Sequence, residues 1–446
     1  MPALIEDVLT DAIRENAFRI TGDTAEFDPL IQFIGDAQFV LLGEASHGTH
    51  EFYRTRAELT KRLIIEKNFS AVAVEADWPD AYRVNRYVQS QSSDTTAEEA
   101  LSDFKRFPSW MWRNRDVVKF VEWLRAHNAR VGAKDPAGFY GIDLYSLNTS
   151  IAAVLTYLDK VDPDAAHRAR YRYSCFDHYG EDTQAYGYAA FVGLTESCER
   201  EVVKQLSEMQ RRASELAKRD GERPEDEFFF AEQNARLVKN AEEYYRSMYE
   251  GRVESWNLRD QHMVEMLDEL VTHLGRKLSR PKVVLWAHNS HLGDARATQM
   301  SQRGEWNVGQ LVREKYGDAA VLIGFTTHSG TVTAASEWDG PAERKRVRPA
   351  LRNSYEELFH ESGLDDFYLL LKETDLAKEF RRERMERAIG VIYRPDTERI
   401  SHYFDADLPR QFDAVIHFDQ TRAVEPLERT TQWSSGEPPE TYPSGM

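Results

Sequence analysis

The chain has 446 residues, of which 41% are hydrophobic and 30% charged, as in an ordinary globular protein. With 75 acidic and 57 basic residues its formal net charge is −18, which repels phosphate backbones and argues against nucleic acid as a partner. No stretch reaches the roughly 18 apolar residues of a membrane span, and the N-terminus is too acidic for a secretion signal, so we expect a cytoplasmic protein with no membrane partner.

Short apolar runs separated by helical stretches recur along the chain. They are FVLLG (39–43), AVAVEA (71–76), FYGIDL (139–144), KVVLWAH (282–288), AVLIGFTT (320–327), FYLLLK (367–372), AIGVIY (388–393) and DAVIHF (413–418). Runs that are apolar on both faces predict strands covered on both sides, so we expect an α/β fold with a mostly parallel central sheet flanked by helices. The amphipathic stretch from Glu51 to Lys67 predicts a crossover helix between the first two strands.

The spacing of these runs also predicts the domain organisation. The interval 145–281 is too long for a single crossover and has apolar residues at helical spacing, which predicts a helical insertion that caps the active-site edge. The α/β catalytic core then consists of 1–144 and 282–430. Residues 336–354 are predicted to form an exposed loop, and residues 431–446 a flexible C-terminal tail.

Titratable residues follow five successive runs. They are Glu44, His47 and His50; Glu75 and Asp77; Asp143; His288 and His291; and His328 with Ser329. Ligands of open α/β sheets bind beyond the carboxyl ends of the strands, so residues at these positions are expected to share one site. We take Glu44, His47, Glu75 and His288 as its centre.

Several neighbouring residues have two interpretations. His50 fits the first residue of a helix as well as a ligand contact, and Asp143 fits a buried orienter as well as an acceptor for backbone amides. Arg54 and Arg56 lie two residues apart on the crossover helix, so only one of them can face a site carboxylate or a substrate oxygen. In the aromatic stretch 106–116, we expect at least one tryptophan in the core and assign Trp110 to an apolar substrate rim.

Several common catalytic signals are missing from the sequence. There is no G-x-S-x-G elbow, no P-loop and no H-E-x-x-H motif, and the two cysteines, Cys175 and Cys198, predict neither a disulfide framework nor a thiolate metal site. Direct attack by water is therefore the most economical mechanism. A histidine would remove the proton, carboxylates would hold its tautomer, and a second histidine or an arginine would meet the oxyanion.

Four of these segments resemble the erythromycin esterase family. They are GEASHGTHEF (43–52), VAVEADW (72–78), GIDLY (141–145) and AHNSHLGD (287–294). The resemblance extends from roughly residue 35 to residue 420. It implies a hydrolase that opens an ester or macrolide-lactone bond, as in macrolide antibiotic resistance, although the true substrate need not be a macrolide.

The resemblance also implies roles for individual residues. His47 would be the general base, with Glu44 and Glu75 as supporting carboxylates. His288 and His291 would position the substrate or its oxyanion. Arg56 matches the family's helix arginine, and Asp143 matches the acid of its G-I-D motif.

A wider superfamily sharing the G-E-x-x-H motif supplies the alternatives. It includes metal-dependent proteases and haem- or iron-binding proteins, so a metal-dependent hydrolase or a haem binder remains a competing hypothesis. The candidate metal ligands are Glu44, His47, Glu75, His288 and His291. We expect a small-molecule substrate and favour a mechanism with no cofactor and no metal; the sequence does not predict the oligomeric state.

Overall fold

The computed structural model describes residues 2–131, 136–220, 224–372, 374–380 and 382–436. Within these ranges the strands are β1 (Phe18–Arg19), β2 (Phe39–Leu42), β3 (Ala71–Asp77), β4 (Gly138–Asp143), β5 (Val283–Trp286), β6 (Ala320–Ala334), β7 (Glu343–Val347), β8 (Asp366–Leu370), β9 (Arg384–Arg387), β10 (Tyr403–Ala406) and β11 (Ala414–Thr421). One sheet has the order β1-β8-β11-β6-β2-β5-β3-β4, with β7 paired to β6; β9 and β10 form a separate ribbon.

The helices surround this sheet. They are α1 (Pro2–Asn16), α2 (Asp28–Ile34), α3 (His50–Lys67), α4 (Trp78–Val88), α5 (Ala97–Ala100), α6 (Arg115–Val131), α7 (Leu147–Val161), α8 (Pro163–Tyr173), α9 (Thr183–Phe191), α10 (Glu199–Arg211), α11 (Ala213–Asp220), α12 (Pro224–Ser247), α13 (Arg252–Leu274), α14 (Asn289–Leu292), α15 (Gln299–Gln302), α16 (Val308–Tyr316), α17 (Tyr355–Glu361), α18 (Asp375–Glu379), α19 (Glu398–Ser401), α20 (Leu408–Gln411) and α21 (Thr431–Ser435). No helix in the described ranges is long and apolar enough to cross a membrane.

The centre of the sheet is parallel. Strands β11, β6, β2, β5, β3 and β4 are parallel neighbours, whereas β8, β1 and β7 are added antiparallel. This confirms the expected α/β fold with a mostly parallel sheet. The predicted crossover helix is α3, and β5 lies between the two strands that it connects.

Burial of both faces explains why these runs form strands. Phe39 and Leu41 pack in one hydrophobic core, whereas Val40 and Leu42 pack in a second core on the opposite face. The first core includes side chains of α12 and α13, and the second includes side chains of α3 and α6. Successive residues of a strand point to opposite faces, so a strand between two helical layers needs apolar residues throughout.

The helical region 145–281 contains α7 to α13 and, in its described part, no strand. Cys175 and Cys198 are joined there by a disulfide, with their Cα atoms 6.0 Å apart. The sequence did not predict this disulfide. The two residues are 23 positions apart, and only the packing of the helices brings them together.

The segment 388–393, predicted as a strand, is irregular. It forms only isolated bridges, among them Ser46 with Ile389, because its apolar side chains pack in a small separate core beside the main sheet. Ile389 donates its N–H to the carbonyl of Ala45 at 2.8 Å and accepts the N–H of His47 at 3.3 Å. The segment therefore holds the loop that follows β2.

The region 336–354, predicted as an exposed loop, contains a strand at its centre, whereas most residues on either side of that strand are exposed. Strand β6 continues to Ala334, and β7 pairs with it antiparallel. Lys345 and Val347 of β7 are buried, and Nζ of Lys345 donates to the carbonyl of Tyr393 at 3.0 Å. This backbone acceptor allows a lysine to lie inside the structure.

The predicted flexible tail, 431–446, begins with a packed helix. Trp433 of α21 is buried, and its Nε1 donates to Oγ1 of Thr333 at 2.8 Å. The prediction is therefore wrong for residues 431–435, because the tryptophan supplies an apolar ring and a hydrogen-bond donor together. Residues 437–446 lie outside the described ranges.

Candidate active site

Four of the predicted site residues lie at the carboxyl ends of four strands. Glu44 follows β2, Glu75 lies near the end of β3, Asp143 ends β4 and His288 follows β5. Since these strands are adjacent and parallel, their carboxyl ends meet at one edge of the sheet. All four side chains are buried.

Glu44 holds both His47 and Arg56. Its Oε1 lies 2.9 Å from Nδ1 of His47, and its Oε2 lies 2.6 Å from Nη2 of Arg56. A carboxylate only accepts, so Nδ1 of His47 carries a hydrogen and Nε2 of the neutral ring keeps its lone pair. Arg56 is fully buried while Arg54 is exposed, so Arg56 is the helix arginine that faces the site.

A second cation, Arg259 of α13, bridges the other two carboxylates. Its Nε and Nη2 donate to Asp143 at 2.9 and 2.7 Å, and Nη2 also donates to Oε1 of Glu75 at 2.8 Å. The other oxygen of Glu75 accepts the backbone N–H of His288 at 2.9 Å. These contacts satisfy both carboxylates and fix them relative to β5.

The same contacts keep Glu75 and Asp143 ionised. Burial alone would raise the pKa of Glu75, but nearby positive charge, first on His291 and also on Arg259, holds it well below its usual range. Burial would likewise raise the pKa of Asp143, and its ion pair with Arg259 lowers it instead.

His291 lies behind this bridge and not on the cavity wall, contrary to its predicted contact with substrate. Its Nδ1 lies 2.9 Å from both carboxylate oxygens of Asp260, and its Nε2 lies 3.5 Å from Oε1 of Glu75. Its ring stacks on Trp256 with centroids 4.5 Å apart. Burial lowers the pKa of His291, but the carboxylates of Asp260 and Glu75 outweigh it and raise the pKa overall. His291 therefore supports Glu75.

His288 is a neutral imidazole beside His47. The backbone N–H of Ser290 donates to its Nδ1 at 3.2 Å, so the hydrogen of the neutral ring is on Nε2. That Nε2 is buried and has no hydrogen-bond partner among the described residues. Burial, followed by the neighbouring His47, lowers the pKa of His288 to about 3. The two rings lie 4.9 Å apart.

A cavity of about 170 Å³ opens next to these groups. Its polar wall consists of His47, Glu75, Asp77, Asp80, Arg106, Asp143, Tyr145 and Arg259. Its apolar wall is formed by Ala76, Phe104, Phe107, Pro108, Met111, Trp112, Trp338 and Val391. A charged wall facing an aromatic wall is typical of a site that binds a largely apolar molecule around one polar group.

The aromatic stretch 106–116 contributes to this cavity, but not through the predicted residue. Trp110 is buried elsewhere and does not line the cavity, because its ring packs in the core below. Trp112 lines the wall and donates its Nε1–H to the carbonyl of Glu75 at 3.2 Å. Phe107 packs edge-on against the half-exposed Trp338, with centroids 5.1 Å apart, at the mouth.

Two predicted strand-end histidines lie outside the site. His50 begins α3 and its Nδ1 lies 2.7 Å from Oδ2 of Asp116. His328 lies inside β6, which is longer than predicted, and its ring stacks on that of His360. Neither histidine lines the cavity.

The sequence motifs included neither Arg259 nor Asp260. The signal was present, since Asp260 falls at helical spacing on the same stripe as Met263 and Leu267, where an apolar residue is expected. A charged residue on a buried stripe requires a partner in the interior.

Asp80 was also missed, although it lines the cavity. Burial, followed by repulsion from Asp77 and Asp103, raises the pKa of Asp80 to about 8. Arg106 pairs instead with Asp77, with Nε donating at 2.8 Å. The cavity wall therefore contains a carboxyl group that holds a proton at neutral pH.

Comparison with known proteins identifies relatives of the whole chain. A sequence profile described as Erythromycin esterase matches residues 64–421. The chain is 24% identical over 417 residues to erythromycin esterase type II of Escherichia coli, covering 90% of this chain and 93% of that one. It is 21% identical over 397 residues to the putative hydrolase YbfO of Bacillus subtilis (strain 168), and this match covers 85% of this chain and 82% of that one. An erythromycin esterase mutant solved in its open conformation has the same fold, with a TM-score of 0.65 and 19% sequence identity. The superposition covers 90% of this chain and 94% of that one.

The bridge made by Arg259 predicts the consequence of removing its charge. Arg259→Gln leaves Glu75 and Asp143 buried without a cation, so we expect a loss of unfolding free energy on the order of 3–5 kcal/mol, measured by urea denaturation. Arg276→Gln, at an exposed arginine two residues beyond the same helix that makes no ion pair among the described residues, is the control and should change stability by less than about 1 kcal/mol. Adding Asp143→Asn to Arg259→Gln should recover part of the loss; no recovery would contradict the bridge.

The low pKa of His288 predicts a pH dependence. The folded state keeps this ring neutral down to about pH 3, whereas the unfolded ring takes up a proton below about pH 6.5. The contribution to stability is therefore complete above about pH 6.5 and is lost as the pH falls below it. Between pH 7.5 and 5.5 the unfolding free energy should fall by about 1.4 kcal/mol more in the wild type than in His288→Gln. An equal fall in both proteins would show that His288 titrates normally.

Proposed function

The chain belongs to the erythromycin esterase family, and on that premise we propose that it hydrolyses an ester or lactone bond with water activated by His47. The family and its relatives support an enzyme of the hydrolase class. The observation that carries the specific proposal is the 2.9 Å contact between Nδ1 of His47 and Glu44, which leaves Nε2 of a cavity-lining imidazole as a free base.

In the proposed reaction, Nε2 of His47 accepts a proton from a water molecule in the cavity. The water oxygen forms a bond to the acyl carbon, and the carbonyl π electrons move onto its oxygen. When this tetrahedral intermediate collapses, the bond to the alkoxy oxygen breaks and that oxygen takes a proton from His47. The products are a carboxylic acid and an alcohol, or one hydroxy acid if the substrate is a lactone.

Fixed negative charges stabilise the imidazolium formed in this step. Glu44 accepts from Nδ1, and Oε1 of Glu75 lies 4.0 Å from Nε2. Arg56 holds Glu44 in place from the other side, so the base cannot rotate away from the cavity. Such preorganised charge acts without reorganisation during the reaction.

Two other groups fit the remaining roles. Nε2–H of the neutral His288 is a buried donor next to His47 that does not line the cavity, so we propose it for the developing oxyanion only where the substrate carbonyl enters beside His47. Asp80, whose pKa is raised to about 8, carries a proton in the same cavity and is suited to donating a hydrogen bond to the alkoxy oxygen while His47 returns its proton to it. The neighbouring environments thus favour a base, a neutral donor and an acid at one pH.

The cavity supports a compact ester as the group that is cut. At about 170 Å³ it is smaller than the roughly 300–1,000 Å³ pockets that enclose drug-sized ligands. We propose that the scissile ester enters the cavity and the rest of the substrate lies against Phe107 and Trp338. A macrolide would require Trp338 to move outward, so smaller apolar esters are the first substrates to test.

A metal-dependent hydrolysis is the competing proposal, because Glu44, His47, Glu75, His288 and His291 are all common ligand types. The partners of these residues favour the metal-free reaction. Glu44 is paired with Arg56, Glu75 with Arg259, and His291 with Asp260. A metal ion that bound Glu44, Glu75 or His291 would have to displace the ion pair that this residue already makes.

Replacement of the proposed base tests the central step. We expect His47→Ala to lower kcat/KM for p-nitrophenyl esters, or for a macrolide if one is accepted, by about 10²–10⁴-fold with an unchanged circular dichroism spectrum. His50→Ala, at the first residue of α3 and paired with Asp116 outside the cavity, is the matched control and should keep near wild-type turnover. A folded His47→Ala variant with wild-type activity would exclude His47 as the base.

Chelation separates the metal-free reaction from the metal-dependent one. Because the proposed base needs its Nε2 lone pair for a proton, we expect dialysis against EDTA to leave kcat/KM unchanged. Activity that disappears on dialysis and returns in proportion to added metal would establish metal-activated water instead.

A further inference from the structure

A second group of histidines and carboxylates lies away from the cavity. His328 is in β6, Asp419 is in the adjacent parallel strand β11, and His360 is in α17. The paired residues Thr327–Phe418 and Ser329–Gln420 flank the first two, so the sheet register itself places them side by side. None of the three lines the candidate active site.

The three side chains converge. One ligand atom from each lies within 4.8 Å of the ligand atoms of the other two. Nδ1 of His360 lies 2.7 Å from Oδ1 of Asp419, and the rings of His328 and His360 stack with centroids 3.7 Å apart. Two imidazoles and a carboxylate at this separation match the N and O donors of zinc sites.

The histidine from β6 has unused binding capacity. Nδ1 of His328 is buried without a hydrogen-bond partner among the described residues. A polar atom left unsatisfied in this way has a cost that a bound cation would remove.

A deeper histidine lies close to the carboxylate, beyond hydrogen-bond distance. His417, fully buried in β11, has its Nε2 3.7 Å from Oδ1 of Asp419 and its Nδ1 2.9 Å from Oγ1 of Thr326. The backbone N–H of Asp419 also lies 3.3 Å from Oδ1 of Asp366, which adds negative charge nearby. Supporting groups behind a ligand are typical of built metal sites.

We propose that His328, His360 and Asp419 bind one divalent transition-metal ion, with Zn²⁺ as the best match to two imidazoles and one carboxylate. The side chain of His360 is 49% exposed, which leaves a path for the ion and room for water as a fourth ligand. The bound ion would tie α17 to β6 and β11. Its role is therefore structural, and it is independent of the proposed hydrolysis.

The test uses the full chain after dialysis against EDTA. Titration with Zn²⁺ by calorimetry should show one ion per chain, Zn²⁺ should raise the melting temperature, and Co²⁺ should give visible absorption bands. His360→Ala removes an exposed ligand and should fold normally. Since loss of an outer-shell partner alone weakens metal binding by about 10–100-fold, we expect His360→Ala to weaken it by more than about 100-fold. Asp419→Asn should also weaken it while preserving shape.

Two control variants locate the ion. His167→Ala, at an exposed histidine of α8, and His47→Ala, in the candidate active site, should both bind Zn²⁺ as the wild type does. Absence of Zn²⁺ uptake by the wild type, or unchanged affinity in folded His360→Ala, would overturn the proposal. Loss of binding in His47→Ala but not in His360→Ala would assign the ion to the active site and overturn it as well.

Discussion

The pairing of buried carboxylates with two arginines, one buried and one on the cavity wall, is the constraint on which the rest of the site depends. A charge removed from water is tolerated only where an opposite charge and hydrogen bonds replace its hydration. Arg56 meets this requirement for Glu44, and Arg259 meets it for Glu75 and Asp143 together. Once the carboxylates are fixed, the imidazole of His47 has one favourable orientation, with Nδ1 toward Glu44 and Nε2 toward Glu75.

This requirement links regions that are distant in sequence. Arg259 comes from α13 in the helical region, and the backbone of Ile389, in an irregular segment, holds both ends of the short loop between Ala45 and His47. Displacing either support would leave buried charge or unpaired backbone groups. The strand-end loops and the elements packed over them therefore behave as one unit.

Environment, more than residue type, separates the functions of similar side chains. His288 is neutral because burial and its neighbour His47 disfavour a charge, whereas the carboxylates around His291 favour one. Glu75 is ionised beside His291 and Arg259, while Asp80 holds a proton because burial, and then repulsion from Asp77 and Asp103, disfavour its charge. Farther along the sheet, the strand register of β6 and β11 brings His328 and Asp419 together. Among the described residues no arginine or lysine pairs with Asp419, so we propose that a metal ion supplies the positive charge there.

The sequence by itself determined the α/β fold and the strand ends at Glu44, Glu75, Asp143 and His288, because uninterrupted apolar runs specify strands buried on both faces and parallel strands end at one edge. Tertiary structure alone decided which side chains face the cavity. It brought in Arg259 and Asp260, placed Trp112 and not Trp110 on the wall, kept His328 inside a longer β6, and joined Cys175 to Cys198. Such choices depend on contacts between elements far apart in the chain, for which local periodicity carries no information.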